Sequence, residues 1–531
     1  MIFDPATQQM ICEYCGQTMT LADYNDTLKE KGQFIATEYN CAQCGATILA
    51  TDATAATFCS YCGSPVALTG NMTAQKAPKK IIPFKFTKKQ ALFQYENKVR
   101  KSFFAPDWML DPEAEQRFRG IYMPYYSHTL KGQGFYKGNA IARYSSGSYD
   151  YTDTYDIESP VTATFKNIVT DASVAFPDTM SYNLGKPDEG KEVTFMPSYL
   201  SGFYADVSDI REDHMMTMVN SIATQELLRS STTTIPLRGH TASVNIGPAL
   251  ADMTQKGLEV ETDTVMNPVW FMSNRRRDKI SYAAVDGVDG DVAVDIPIDF
   301  KKYLLVAVLV CGFLAAIFNL LNFVPTPEAV LNMSWILAVV GWIISSREYG
   351  KLWRRKHGYD DLGAMDEDTF LKVQNTLAKP LKRLSNRAEK AKTKAKGMSG
   401  CLMIILIIVA IPIIPFVFSI GMLLFPFFLV YAIIKAIVNA TNGKNVKNSA
   451  KVKEFKAPFL SRFLNALPFI AVIILSLTFQ DMYAENDTMQ YAMAFAGIGV
   501  NVLMYLNIVR MQNAYAMRDI PVFTQKRGGD M

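Results

Sequence analysis

The sequence reads Cys41-Ala-Gln-Cys44-Gly and then Cys59-Ser-Tyr-Cys62-Gly, two Cys-x-x-Cys-Gly segments with 14 residues between Cys44 and Cys59. Such a segment folds into a knuckle that turns both thiolates towards one ion, and its glycine eases the tight turn. Because four thiolates leave no open coordination position, the pair predicts a rubredoxin-like ribbon over residues 39–68 that holds a structural Zn²⁺ through Cys41, Cys44, Cys59 and Cys62. Coincidental or redox-active cysteines are the alternative.

A third pair, in Cys12-Glu-Tyr-Cys15-Gly, repeats the knuckle pattern, but 25 residues separate it from Cys41 and no second pair precedes it. We interpret residues 10–20 as the second half of another ribbon whose first knuckle this chain lacks, with Cys12 and Cys15 as metal ligands. The alternative is a degenerate remnant or a pair of free surface thiols. Residues 1–75 are therefore assigned to a zinc-ribbon region.

Charge divides the chain into two halves. Residues 1–302 contain 29 Lys and Arg against 36 Asp and Glu, whereas residues 303–531 contain 25 against 14. The acidic half argues against nucleic acid as a partner, since phosphate binding needs a basic face. The stretch from Met1 to Gln9 has neither the basic nor the apolar region of a signal peptide. Paired thiols then indicate metal ligands in a reducing compartment, which predicts a cytosolic N-terminus.

Residues 76–302 are rich in Tyr, Val, Ile and Thr, and their alternation predicts an α+β domain with an antiparallel sheet. Strands are expected at Ile81–Phe86, Ile121–Lys131, Phe135–Tyr144, Tyr149–Glu158, Val161–Thr170, Val269–Ser273, Ile280–Val285 and Val292–Ile298. Turns are expected at 132–134 and 145–148, and helices at Lys88–Phe103 and Ala205–Arg229.

The sequence offers no candidate active site, so we expect a protein that is not an enzyme. There is no glycine-rich phosphate loop, no Gly-x-Ser-x-Gly elbow and no metal-binding spacing among the histidines, which are His128, His214, His240 and His357. Asp286–Asp291 lacks the closing glutamate of a calcium loop, and a hairpin turn is the better interpretation. Arg275–Arg277 is interpreted as a solvated basic tip, with acidic lipid or a protein partner as the alternative.

Apolar runs without charges follow residue 302, and the one at 397–434 has 38 residues. About 20 residues cross the hydrocarbon layer as a helix, so this run is long enough for two spans. We predict an all-α polytopic membrane domain over 303–531 with six spans, at 303–324, 329–346, 398–418, 420–438, 463–480 and 488–509. A re-entrant or kinked single helix over 397–434 is the alternative. The basic connections at 347–396 and 435–462 mark the cytoplasmic side and predict that both termini are cytoplasmic.

Within the first basic connection, alternate residues are lysines, namely Lys390, Lys392, Lys394 and Lys396. A basic segment beside a membrane span is attracted to anionic lipid headgroups, by about 1 kcal/mol per residue. We therefore expect these lysines to contact lipid headgroups. A solvated helix that only enforces topology is the alternative.

The chain resembles a family of bacterial zinc-ribbon membrane proteins whose function is not established. The resemblance rests on both knuckles with the flanking Ala55-Ala-Thr-Phe and Ser64-Pro-Val, and on Ile82-Pro-Phe, Arg119-Gly-Ile-Tyr-Met-Pro-Tyr-Tyr, Tyr199-Leu-Ser-Gly-Phe-Tyr-Ala-Asp, Pro268-Val-Trp-Phe, Val285-Asp-Gly-Val-Asp-Gly-Asp-Val and Ile296-Pro-Ile-Asp. Members are often mislabelled as helicase or polymerase subunits because of the ribbon. The family usually carries a complete extra N-terminal ribbon, from which this chain departs. The resemblance implies association with flotillin-like or phage-shock-type membrane proteins.

These features together favour a non-enzymatic integral membrane scaffold in the bacterial cell membrane. Its ribbon and β domain are expected to recruit cytosolic or membrane-associated proteins, with a role in the membrane stress response. A homo-oligomeric assembly is left open. The first alternative is a small-solute transporter or channel with a cytosolic regulatory domain, and the second is a zinc-ribbon nucleic-acid-binding regulator.

Overall fold

The computed structural model of the chain describes residues 1–26, 33–50, 59–64, 70–112, 114–185, 190–212, 215, 216, 218–220, 222, 223, 232–237, 239–320, 326–357, 459–482 and 486–523. Most of the strands belong to one 14-stranded sheet. They are β4 (Gln33–Asn40), β5 (Thr47–Ala50), β6 (Gly70–Lys76), β7 (Lys80–Ile81), β8 (Arg119–Ser146), β9 (Tyr149–Asp171), β10 (Val193–Thr194), β11 (Tyr204–Asp206), β12 (Thr232–Leu237), β13 (His240–Asn245), β14 (Glu259–Arg276), β15 (Lys279–Asp286), β16 (Val292–Val294) and β17 (Arg518–Asp519).

The N-terminus forms a separate three-stranded antiparallel sheet of β1 (Ile2–Asp4), β2 (Gln9–Ile11) and β3 (Thr18–Met19), followed by helix α1 (Leu21–Asp26). Its Phe3 and Met10 are buried in the core of the larger domain. The Phe3 amide donates to the Ser201 carbonyl at 3.0 Å, and its ring meets that of Tyr199 edge-on at 5.2 Å. This small sheet is therefore fixed to the β domain.

The predicted ribbon is continuous with the β domain. Strand β4 pairs with β5 and β6, and β5 pairs in turn with β11, which lies beside β8. The central strands β8 and β14 bury side chains on both faces. Tyr122 and Trp270 face one core, whereas Met123 and Phe271 face a second core that contains the four cysteines of the two knuckles. The knuckles thus pack on one face of the same sheet that organises residues 76–302.

The predicted turn at 132–134 is wrong. Strand β8 runs without interruption to Ser146 and pairs with β9, and the turn between them lies at 147–148, within the segment predicted as the second turn. Gly132 and Gly134 instead make room for helix α5 (Gly247–Lys256), because a Cβ on Gly134 would lie 2.9 Å from the side chain of Met253. The glycines signal close packing in this strand.

Most of the other predicted elements of the β domain are present, with three differences in the strands. The strand predicted at Ile81–Phe86 is limited to β7, the one predicted at Val292–Ile298 ends at Val294, and those predicted at Tyr149–Glu158 and Val161–Thr170 form the single strand β9. Helix α2 (Lys88–Lys101) begins with a capping box in which the Gln90 side chain accepts from the Thr87 amide at 2.8 Å. The predicted 205–229 helix starts later, because 204–206 is strand β11, and the described helical positions begin at residue 212. Short helices α3 (Ala114–Arg117) and α4 (Asp178–Leu184) are additional to the predicted ones. The hairpin of β14 and β15 and the turn at 286–291 are confirmed.

Four helices in the described part of the chain are long and apolar enough to cross a membrane. They are α6 (Phe300–Leu320), α7 (Pro327–Lys356), α8 (Phe459–Met482) and α9 (Asp487–Ala516). Helices α7, α8 and α9 pack together. Gly341 permits the contact of α7 with α8, because a Cβ there would overlap the Phe469 ring, and Asn501 of α9 donates to the Ser334 carbonyl at 2.9 Å. The spans predicted at 398–418 and 420–438 lie outside the described residues.

The membrane helices are tied to the β domain at two places. The Asn513 side chain near the end of α9 accepts from the Ile298 amide at 2.6 Å and donates to the Ile298 carbonyl at 2.9 Å. At the start of α6, Lys302 bonds Asp107 at 2.6 Å. After α9 the chain returns to the sheet, where β17 pairs with β15.

Candidate metal centre

Each of the two predicted knuckles closes with the same pair of backbone hydrogen bonds. The Cys41 amide donates to the Ala46 carbonyl at 2.9 Å and the Gly45 amide to the Cys41 carbonyl at 2.8 Å. In the second knuckle, Cys59 and Gly63 make the equivalent bonds, both at 2.9 Å. Gly45 and Gly63 have φ values of 75° and 66°, in the left-handed region that glycine tolerates best. The local sequence therefore forms the two turns.

The two knuckles bring four thiols together. Their sulfur atoms all lie within 4.8 Å of one another, and all four residues are buried. We call Cys41, Cys44, Cys59 and Cys62 the four-cysteine cluster. The sulfur of Cys41 is 3.8 Å from that of Cys62, and the sulfur of Cys44 is 3.7 Å from that of Cys59. This arrangement can hold a metal ion.

The thiols of the four-cysteine cluster shift one another's pKa values. The hydrogen bond between Cys41 and Cys44 acts in opposite directions on the two thiols. It lowers the pKa of Cys41 and raises the pKa of Cys44. The pKa of Cys59 is also raised, first of all by Cys41. Some thiols are thus held protonated by their neighbours. A bound cation would allow all four to ionise, because it offsets the repulsion between buried thiolates.

A ring of polar contacts surrounds the second knuckle. The Cys62 thiol lies 3.3 Å from Ser64 Oγ, which also bonds the side chain of Gln43. Arg275 donates from Nη1 to the same Ser64 oxygen at 2.6 Å. The sequence predicts a solvated tip for Arg275, and the structure instead docks this side chain on the knuckle. Its positive charge complements a cluster of thiolates.

Tyr61, inside the second knuckle, connects the cluster to the sheet. The ring is fully buried, and its hydroxyl donates to Asp206 Oδ2 at 2.6 Å. The same carboxyl oxygen accepts from the Ser173 hydroxyl. Burial, aided by the nearby charge of Asp209, raises the pKa of Asp206 to about 7. The second knuckle therefore rests on a buried polar network.

The C-terminal segment covers the first knuckle. The Phe523 amide donates to the Cys44 carbonyl at 2.6 Å, and its ring lies 6.1 Å from that of Tyr61. Ile520 packs against the same core. Arg518 pairs with Asp295 at 3.1 Å in a largely buried ion pair. The cluster is thus enclosed between the sheet and the segment that follows helix α9.

The structure does not bring the third knuckle to the four-cysteine cluster. Within the described residues, no His, Cys, Asp or Glu joins Cys12 and Cys15 in a group of three or more candidate ligands. Cys12 is half-buried and Cys15 is exposed, on the small N-terminal sheet. The lysines predicted to contact lipid, Lys390–Lys396, lie outside the described residues.

The histidines have structural surroundings where they are described. His128 is buried between the hydroxyls of Thr262 and Thr170, at 3.0 and 2.9 Å, and burial lowers its pKa to about 4. His240 stacks on Tyr144 at 3.7 Å. Sequence reasoning missed Asp206, Arg275 and Phe523, whose partners are distant in sequence. The Tyr of the second knuckle gave no local signal of this anchoring, because Tyr14 holds the same position in the N-terminal knuckle and is fully exposed.

No protein-family model matches the chain, and no solved structure matches it. The chain is similar to the uncharacterized protein YdjG of Bacillus subtilis (strain 168), with 24% identity over 239 residues. These residues make up 44% of this chain and 68% of the relative. The similarity covers less than half of the chain and brings no activity with it.

Proposed function

We propose that the protein is a non-enzymatic integral membrane scaffold with a structural zinc ribbon, placed in a bacterial cell membrane with both termini in the cytoplasm. The four-cysteine cluster would fasten the cytosolic sheet to the segment that follows the last membrane helix. The sheet would recruit cytosolic or membrane-associated proteins. The hydrogen bond from the Phe523 amide to the Cys44 carbonyl is the observation that supports the proposal most directly. Six residues, 517–522, separate Phe523 from the end of helix α9, so this bond joins the four-cysteine cluster to the membrane helices.

The geometry of the four-cysteine cluster supports zinc. A Zn–S bond is about 2.3 Å long, so sulfurs at the corners of a tetrahedron lie about 3.8 Å apart. The separations of 3.8 and 3.7 Å between the knuckles match this edge. Iron also binds four thiolates tetrahedrally, but a buried site that fastens structure needs no redox activity. Purified protein should therefore contain colourless zinc sites rather than coloured iron sites.

The outer edge of β9 supplies a docking surface for a partner. Strand β9 pairs with β8 along one edge, and no strand in the described part of the chain pairs with the other. Exposed polar residues such as Thr154 and Thr162 follow one face of it. An unpaired edge can accept an extended segment of another protein as an added strand. The resemblance to zinc-ribbon membrane proteins indicates flotillin-like or phage-shock-type proteins as the partners.

Photo-crosslinking in intact membranes tests this assignment. A photoreactive amino acid at Thr154 or Thr162 should form a covalent adduct with a flotillin-like or phage-shock-type protein. The matched control is the same amino acid at Lys89, an exposed position on α2, which should form no such adduct. Equal labelling from β9 and α2, or none from either, would contradict recruitment at this edge.

The transport alternative is tested separately. Asn501 is buried and bonds a neighbouring helix, which supports helix packing rather than a polar path. Solute flux through the full-length protein in liposomes would favour transport instead.

A further inference from the structure

The N-terminal knuckle has the backbone of a finished metal-binding turn. The Cys12 amide donates to the Gln17 carbonyl at 2.9 Å, and the Gly16 amide donates to the Cys12 carbonyl at 2.8 Å. These distances repeat those of both knuckles in the four-cysteine cluster, and Gly16 has a φ of 71°. The turn is therefore preorganised to present two sulfurs to an ion.

This knuckle is rigid and open to solvent. Phe3 and Met10 fix its sheet in the domain core, and the Gln8 side chain donates to the Phe84 carbonyl at 2.7 Å. Cys12 and Cys15 are not joined in a disulfide. Two thiolates fill half of a tetrahedral sulfur site, and the described part of the chain places no third candidate ligand beside them.

We propose that Cys12 and Cys15 bind a zinc ion that is shared with the same two cysteines of a second copy of this chain. A two-fold axis through the ion would supply four thiolates from two identical half-sites. On binding, each thiol loses its proton to solvent. Two copies held in one membrane in the same orientation present their knuckles at the same height, which raises their effective concentration for each other.

The exposed surface beside the knuckle favours a second copy as the occupant. Tyr14 is 100% exposed, and Met1 and Met19 on the same small sheet are exposed as well. In the completed four-cysteine cluster, Tyr61 at the equivalent position is fully covered. A second copy seated on the ion would bring apolar surface of the same kind against Tyr14.

Zinc content and mass of the full-length protein, purified in detergent under reducing conditions, test the inference. We expect about 1.5 zinc ions per chain in a dimer that a mild chelator splits, since one ion is shared and each chain keeps its own. The double variant Cys12→Ser/Cys15→Ser should contain about one ion per chain and should be monomeric. Cys311→Ser, an exposed cysteine on α6, is the matched control and should behave like the natural chain.

Other results would overturn the shared site in distinguishable ways. About one ion per chain before and after the double substitution would show that the knuckle binds none. About two ions in a monomer would show that a segment of the same chain completes the site. A dimer that survives the double substitution would show an interface without shared metal. The inference depends on the proposed function only through the choice of zinc, and a chain without zinc in the four-cysteine cluster would contradict that proposal separately.

Discussion

The knuckles at 12–16 and 59–63 have the same sequence, Cys-x-Tyr-Cys-Gly, and the same backbone hydrogen bonds. Their surroundings are opposite. Tyr61 is 0% exposed and bonds the buried Asp206, whereas Tyr14 is 100% exposed. The comparison shows that five local residues suffice to form the turn. Elements far away in sequence decide whether the turn becomes a closed structural site or an open half-site.

The two knuckles should differ most in the free energy of unfolding that is lost when one of their cysteines is replaced. Cys62→Ser should lower the free energy of unfolding by more than about 5 kcal/mol, because structural zinc contributes about 10–16 kcal/mol in small zinc domains. Under the mild chelation that splits the dimer, Cys15→Ser should change it by less than about 0.5 kcal/mol, because the exposed side chain then binds no shared ion. Urea unfolding in detergent micelles, followed by tryptophan fluorescence, measures both. Equal losses of unfolding free energy would contradict the distinction between a closed structural site and an open half-site.

The next largest difference in unfolding free energy is expected between substitutions of Tyr61 and Tyr14. Tyr61→Phe removes the hydroxyl that donates to the buried Asp206 carboxyl, and we expect a loss of about 2 kcal/mol. Tyr14→Phe should be neutral within about 0.5 kcal/mol. The same unfolding measurement compares them, and a neutral Tyr61→Phe would contradict the role of the buried network.

A pH dependence should accompany the buried knuckle alone. The pKa of Asp206 is raised to about 7 by burial, so the folded state holds its proton more tightly than the unfolded state. The stabilisation from this proton is full below about pH 4 and is lost as the pH rises through about 7. Between pH 6 and pH 7, the natural chain should lose about 1 kcal/mol more than Asp206→Asn. Comparing the two chains removes the pH dependence of zinc binding, which they share, and parallel profiles would contradict the shift.

The smallest difference in unfolding free energy is expected between substitutions of the glycines that end the two knuckles, Gly16 and Gly63. Gly16→Ala and Gly63→Ala both force alanine into a left-handed backbone, at a cost of about 1 kcal/mol each. A Cβ on Gly63 also lies 3.3 Å from the Cβ of Arg275, whereas one on Gly16 meets nothing within 4 Å. We expect Gly63→Ala to cost a few tenths of a kcal/mol more. Combining it with Arg275→Gly, which removes that Cβ, should remove the excess relative to Arg275→Gly alone, and an unchanged excess would place the strain elsewhere.

The local sequence pattern predicts some elements of this structure correctly, whereas others depend on contacts between residues that are distant in sequence. The cysteine spacing and the hairpin at Val269–Val285 follow from short-range rules, and both are present. Gly132 and Gly134 predict a turn because glycine breaks strands in isolation, whereas helix α5, more than 110 residues away, needs their small size. The bond from Tyr61 to Asp206 spans 145 residues. Such contacts depend on the order of strands in the sheet, which the alternation of residues does not specify.

We propose that the four-cysteine cluster is a closed zinc site that joins the β domain to the membrane helices. X-ray absorption at the zinc edge, on the full-length Cys12→Ser/Cys15→Ser variant, tests it most directly because zinc at the N-terminal knuckle is then removed. We expect one zinc with four sulfur neighbours at about 2.3 Å. Zinc with nitrogen or oxygen neighbours, or a variant without zinc, would contradict it.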